Sequence, residues 1–147
     1  MRIPQKWRYA LRAVFELALR GGSDPLKVSD IAQNQDIPPR FLEVILNQLK
    51  HVGIVDSRRG NEGGYILIRS PHNLSVGEVM RSLDGNEGPF GVKSNNNNGV
   101  LFGDCAFIPM WEDGWKAMWE VYNNTTFQQL VDKAKQINEQ YVPAYTI

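Results

Sequence analysis

Two groups of residues carry the chemistry this chain could perform. The first is Arg58-Arg59-Gly60-Asn61-Glu62-Gly63-Gly64. Adjacent guanidiniums are planar, permanently charged and shaped to meet phosphate oxygens or a narrow, negative groove. Three glycines in that connection permit positive φ and a protruding tip. The second is Pro39-Arg40 with Glu43 one turn on. At the start of a helix, Arg40 can reach a phosphate or a guanine, and Glu43 can accept from a cytosine amino group. Catalytic patterns are missing. No nucleophile–base pair or metal-ligand spacing stands out, and the glycine-rich stretch lacks the Lys-Ser/Thr of a phosphate loop. His51 and His72 lie near no other soft ligand in sequence and read as structural or solvated. An enzyme is not expected.

These residues need elements to hold them. Gln5 to Arg20 has helical period, with Ala10, Leu11, Val14, Leu17 and Ala18 as the buried face. Arg8, Arg12, Glu16 and Arg20 form the opposite stripe, and Gly21-Gly22 ends the helix. A short helix follows at about Val28 to Gln35, broken by Asp36-Ile37-Pro38. Pro39 suits the first position of a third helix, because its missing N–H costs nothing there. That helix runs to about His51, with Leu42, Ile45, Leu46 and Leu49 inward. Arg40, Glu43, Asn47 and Lys50 point outward, and Gly53 ends it. Two strands, Ile54 to Ser57 and Tyr65 to Arg69, flank the glycine-rich tip. Ser75 and Glu78 form a capping box for a fourth helix ending near Asp84-Gly85. Residues Gly85 to Asp104 are rich in Gly and Asn and read as a mobile loop. After Pro109 a long helix is expected, with Trp111, Trp115, Met118, Trp119 and Tyr122 on one stripe. Thr126 and Gln129 cap a last helix to about Gln140, and the tail YVPAYTI reads as extended.

Composition agrees with this picture. Of 147 residues, 42% are hydrophobic and 22% charged, which suits a globular chain with an ordinary core. No apolar run approaches the roughly 20 residues needed to cross a bilayer, and no secretory signal is visible at the N-terminus. The net charge is +0, yet residues 1–83 hold 12 Lys+Arg against 8 Asp+Glu, and residues 84–147 hold 4 against 8. A basic half (+4) joined to an acidic half (−4) suits a polyanion on one surface and something else on another. Cys105 is the single cysteine. It excludes a disulfide framework, a zinc finger and a self-contained four-thiolate cluster, and it fits a reducing cytoplasm.

Helix, short helix, turn, helix and glycine-tipped hairpin is the order of a winged helix-turn-helix. In that geometry the third helix enters the major groove of DNA. The segments RYALRAVFELAL, VSDIAQNQDIPPRFLEVILNQLKHVGIVDSRRG, GGYIL and LSVGEVMRSLDG resemble the Rrf-two (Rrf2) family of bacterial winged-helix regulators. DCAFIPMWEDGWKAMWEVYNNTTFQQL is similar to that family's dimerisation helix and the helix after it. The resemblance covers nearly all of the chain apart from the Asn-rich loop and the tail. It implies a mainly α fold with a small β-wing, a long C-terminal dimerisation helix, and a homodimer on a roughly palindromic operator.

Three parts are expected: a DNA-binding domain over 1–84, a loop over 85–104, and a dimerisation and terminal-helix region over 105–147. The expected DNA contacts are Arg8, Pro39, Arg40, Glu43, Arg58, Arg59, Asn61 and Tyr65. The expected dimer interface is Trp111, Trp115, Met118, Trp119 and Tyr122. The chain departs from the family pattern in places. Trp7 stands where many relatives have glycine. Pro38 replaces a Ser/Thr cap, losing a bond worth about 1 kcal/mol. Glu62 adds negative charge to the wing. Cluster-binding relatives use three cysteines and a further ligand; here only Cys105 matches, with Ile108 in place of a ligating histidine. Arg8 and Arg12 stand where relatives supply a ligand from the first helix, and Asn95 to Asn98 are poor donors to a soft centre. No iron–sulfur cluster, other cofactor or metal is expected.

The leading expectation is a cytoplasmic, sequence-specific repressor that binds double-stranded DNA as a homodimer, with no membrane association. A small-molecule or protein effector stays open, and the tryptophan stripe could instead line a pocket for an aromatic effector. Two alternatives remain. One is a winged-helix protein-interaction module, given Glu43 and Glu62 on the DNA-facing side. The other is redox sensing through Cys105, a thiol near a helix N-terminus with the opposing charge of Asp104 beside it. The favoured reading of Cys105 is instead a small buried hydrophobe at a helix entry.

Overall fold

A computed structural model describes residues 3–20, 22–84 and 102–141. Gly21, the segment 85–101 with its Asn95–Asn98 run, and the tail beyond Tyr141 lie outside the described residues. Helix α1 (Gln5–Arg20) buries Ala10, Ala13, Val14, Leu17 and Ala18. Its three alanines keep that face low, so α2, α3, α4 and α6 can all pack on it. α2 (Val28–Gln35) and α3 (Pro39–His51) make the helix-turn-helix. Asp36 turns the corner in the left-handed region at φ 49°. Ile37 then drops into the core, its N–H donating to the Ala32 carbonyl at 2.9 Å. Pro38 sits at the N-cap of α3 with no side-chain capping bond, as expected from its lack of a polar group.

β1 (Val55–Arg58) and β2 (Gly64–Leu67) pair antiparallel, with Val55 opposite Leu67 and Arg58 opposite Gly64. Against the sequence reading, β1 lies one residue later, and β2 starts one residue earlier and ends two earlier. Leu26 adds an isolated antiparallel bridge on the other edge of β2. Its N–H donates to the Tyr65 carbonyl at 2.9 Å, and the Tyr65 N–H donates back at 2.8 Å. The wing therefore stands on the segment between α1 and α2.

Both capping boxes form. The Ser75 N–H donates to Glu78 Oε2 at 3.0 Å and the Glu78 N–H to Ser75 Oγ at 3.2 Å, opening α4 (Val76–Asp84). The Thr126 N–H donates to Gln129 Oε1 at 3.1 Å and the Gln129 N–H to Thr126 Oγ1 at 3.2 Å, opening α6 (Phe127–Tyr141). The two caps also bond each other: the Val76 N–H donates to the Thr125 carbonyl and the Phe127 N–H to the Leu74 carbonyl. Phe127 and Val131 are thereby driven into the same core as α1 and α3. The hydrophobic core thus draws on residues from both ends of the described chain.

Two expectations about helices are corrected. The long helix α5 runs Phe102–Asn124 and contains Pro109, rather than starting after it. Proline removes one i→i−4 donor and crowds the preceding turn, but it does not stop a helix whose other bonds persist. Glu16, placed on the outward stripe of α1, is 2% exposed. Its position faces α2, which a helical period cannot reveal.

Candidate nucleic-acid interface

The exposed face of α3 carries Pro39, Arg40, Glu43, Asn47 and Lys50. Arg40, Glu43 and Asn47 follow at helical spacing and make one outward stripe. The Leu42, Ile45, Leu46 and Leu49 face is buried, so the rotation of α3 about its axis is fixed by the core. At its far end, Lys50 Nζ donates to Ser57 Oγ at 2.5 Å and lies 3.9 Å from Asp56 Oδ1. That contact ties the last turn of α3 to β1, so helix and wing are held as one surface.

The wing tip exposes Arg58, Arg59, Gly60, Asn61 and Glu62. Gly60 turns at φ +110°, and a side chain at Gly63 would meet the Arg58 carbonyl at 2.5 Å. The tip therefore closes tightly at Gly63, where only glycine fits. Tyr65, expected among the DNA contacts, lies half-buried at the wing's base and packs against the core. Arg8 is exposed on α1, with Nη1 3.5 Å from Gln5 Oε1. The structure thus leaves the α3 and wing candidates exposed, joins the end of α3 to β1, and half-buries Tyr65.

The arginines divide by what they touch. Arg20 binds Glu16, Arg69 binds Glu78, and Arg81 donates to Asn123 Oδ1 at 2.5 Å while lying over the Trp119 ring. Arg12 lies over the Tyr9 ring at 5.4 Å. Arg40, Arg58 and Arg59 have no ion pair or side-chain hydrogen bond among the described residues, and all three are exposed. Uncommitted guanidiniums in the helix-turn-helix and wing are what an external polyanion requires.

The sequence reading passed over Phe41 and Val44. They are 62% and 59% exposed on the outward side of α3. Phe41 rests against Tyr9, ring centroids 6.4 Å apart. Two apolar residues breaking into a polar helical face were the available signal.

The tryptophan stripe expected at a subunit interface packs mainly within its own chain. Trp115, Met118, Trp119 and Tyr122 are half-buried. Trp119 meets Trp7, Trp115 and Tyr122 edge-on at 6.2, 5.7 and 6.0 Å. Trp7 donates to Asp84 Oδ2, which joins α1 to the end of α4. Trp111 is exposed. Cys105 is exposed on the first turns of α5, not buried. Ile108 follows it one turn on and is half-buried. No group of three or more His, Cys, Asp or Glu side chains converges among the described residues. No described helix is long and apolar enough to cross a membrane.

Comparison with known proteins agrees with this geometry. The family described as Rrf2, iron-dependent transcriptional regulator, matches residues 3–133. The HTH-type transcriptional regulator IscR of Klebsiella pneumoniae strain 342 is 32% identical over 133 residues, spanning 90% of this chain and 80% of that protein. Among solved structures, T. potens IscR superposes with a TM-score of 0.77 at 28% identity, covering 93% of this chain and 90% of the other. CymR, the global cysteine regulator of B. subtilis, superposes with a TM-score of 0.75 at 29% identity, covering 90% and 98%. The chain belongs to the Rrf2 family and is, like its relatives, a winged-helix DNA-binding transcriptional regulator rather than an enzyme.

Proposed function

We propose that the chain is a cytoplasmic, homodimeric repressor that reads a two-fold operator through α3 and the wing, without an iron–sulfur cluster. The observation that carries the DNA reading is the division of the arginines. Arg12, Arg20, Arg69 and Arg81 are engaged within the chain; Arg40, Arg58 and Arg59 are not. Binding to duplex DNA that falls steeply with salt tests it, since each phosphate neutralised releases condensed counterions. Equal affinity at low and high salt would overturn it.

A second copy is the partner suggested by the exposed flank of α5. Gly103, Phe107, Met110, Gly114, Ala117 and Val121 recur at spacings of four and three and are all exposed. This is a heptad seam on the flank of α5, roughly 100° around the helix from the tryptophans. It is self-complementary about its midpoint. Antiparallel pairing sets Phe107 against Ala117 of the partner subunit, Met110 against Gly114 of the partner subunit, and Val121 against Gly103 of the partner subunit. Large meets small in each layer, as a two-fold contact requires. This reading moves the expected interface from the tryptophan stripe to the flank beside it.

The donor set does not fit the iron–sulfur centre found in cluster-binding relatives. One cysteine per chain supplies one thiolate, Ile108 offers no donor, and the guanidiniums of Arg8 and Arg12 on α1 have no lone pair to give a metal. An anaerobic preparation with a visible charge-transfer band and stoichiometric iron and sulfide would refute this. The exposure of Cys105 favours a second reading, a redox response. Peroxide should then weaken DNA binding by the wild type and spare Cys105→Ser; an equal response in both dismisses it.

A further inference from the structure

We infer that Phe41 and Val44 form an apolar reader for the 5-methyl groups of thymine, which makes them specificity-determining residues of the DNA face. The inference rests on the DNA-binding reading above and adds to it the chemistry of the bases selected. Arg40, Glu43, Val44 and Asn47 follow at i, i+3, i+4 and i+7, so Val44 lies in the middle of the polar stripe, with Phe41 at its flank. These two are among the most exposed large apolar side chains of the chain, while Leu42, Ile45 and Leu46 beside them are almost wholly buried. No requirement of the core explains them.

Their surroundings favour a nucleic acid over a protein partner. The same face carries Arg40, and the wing held beside it through the Lys50–Ser57 contact carries Arg58 and Arg59. Among base edges in the major groove, the thymine methyl is the apolar group, and aliphatic or phenyl side chains are its complement. Phe41 is also held in place. Its ring leans on Tyr9, and the Arg12 guanidinium lies over the Tyr9 ring at 5.4 Å. A braced side chain loses less rotamer freedom on binding than a loose one.

The test uses the full chain and a library of duplexes with a randomised core, enriched by binding in dilute salt. The best duplex is resynthesised with deoxyuridine at each thymine in turn, which deletes one methyl and nothing else. At one or more positions in each half-site the substitution is expected to weaken binding about fourfold, the effect of one buried methyl-sized group. In Val44→Ala or Phe41→Ala, the same substitution at that position is expected to cost nothing further. Both residues are exposed, and an unchanged unfolding midpoint shows that the variants fold. A uracil penalty equal in wild type and variants overturns the inference, as does no penalty in the wild type; the DNA-binding reading survives both. A library that returns no enriched duplex overturns the DNA-binding reading and the inference with it.

Discussion

Gln35 Nε2 donates to Glu16 Oε2 across 2.7 Å, joining the middle of α1 to the end of α2. Asn34 Nδ2 donates to the other oxygen at 2.8 Å, and Arg20 Nε reaches it at 3.2 Å. A buried carboxylate is costly unless its lone pairs are filled. Here three donors from two helices fill them. The bonds also fix how the helix-turn-helix sits on α1, because α2 carries the turn that aims α3.

Burial pushes the Glu16 carboxyl up, but the bonds from Gln35, Asn34 and Arg20, with the Arg20 charge, outweigh it and hold the group below its ordinary value. A carboxyl depressed in the folded state stabilises above its unfolded value, near 4.5, and that contribution is lost as pH falls through the folded value. Glu16→Gln is expected to cost about 2 kcal/mol at neutral pH, because an amide turns a donor toward donors. It is also expected to flatten the acid limb of the stability curve. Urea unfolding between neutral pH and the acid range checks both. An unchanged acid limb would assign that limb to other carboxylates, such as Glu78, also held low, first by the Ser75 backbone N–H.

What the sequence revealed followed its range in the chain. The Ser75/Glu78 and Thr126/Gln129 boxes are local, so spacing identified them, and the structure forms both. The outward face of α3 was legible for the same reason. Glu16 was not, since its partners Asn34 and Gln35 come from another helix 18 and 19 residues away. The tryptophan stripe of α5 shows a subtler limit. Its period identified an apolar face, but period does not say what covers the face. Trp7, on a different helix from Trp119 and far from it in sequence, is part of the cover. Phe41 and Val44 were overlooked because the stripe was read for charge alone.

Arg59→Ala is expected to weaken binding to the enriched duplex and to lower the slope of log affinity against log salt by about 1, as follows when one phosphate is no longer neutralised. Arg69→Ala removes an equal charge that is already paired with Glu78, and it should leave that slope unchanged. Titrations at several salt concentrations compare the two. Equal slopes in wild type and Arg59→Ala would take the wing off the DNA.

Gly64→Ala is expected to destabilise by more than about 1 kcal/mol, because φ is +156° and the added methyl would run into the Leu26 carbonyl. Gly60→Ala also meets a positive φ, but its surroundings are open, so it should cost less. Chemical denaturation ranks them. The reverse order would show that the Leu26–Tyr65 bridge yields easily and does not anchor the wing.

The seam on α5 separates assembly from folding. Gly114 is exposed and has nothing within 4 Å of an added Cβ, so Gly114→Leu raises helix propensity without a clash inside the protomer. In the proposed antiparallel pairing the same leucine would meet Met110 of the partner subunit in a layer built for glycine. Overpacking of about 1–3 kcal/mol is expected to raise the dimer dissociation constant by about tenfold or more. Phe107→Glu places a charge in the same seam and should leave monomer at micromolar concentration. Trp119→Ala, which removes the centre of an intrachain cluster, should lower the unfolding midpoint instead. Sedimentation equilibrium and thermal unfolding of the three variants distinguish these roles. If Gly114→Leu and Phe107→Glu stay as dimeric as the wild type, the contact lies elsewhere, because no isologous helix pairing through this stripe could absorb both changes.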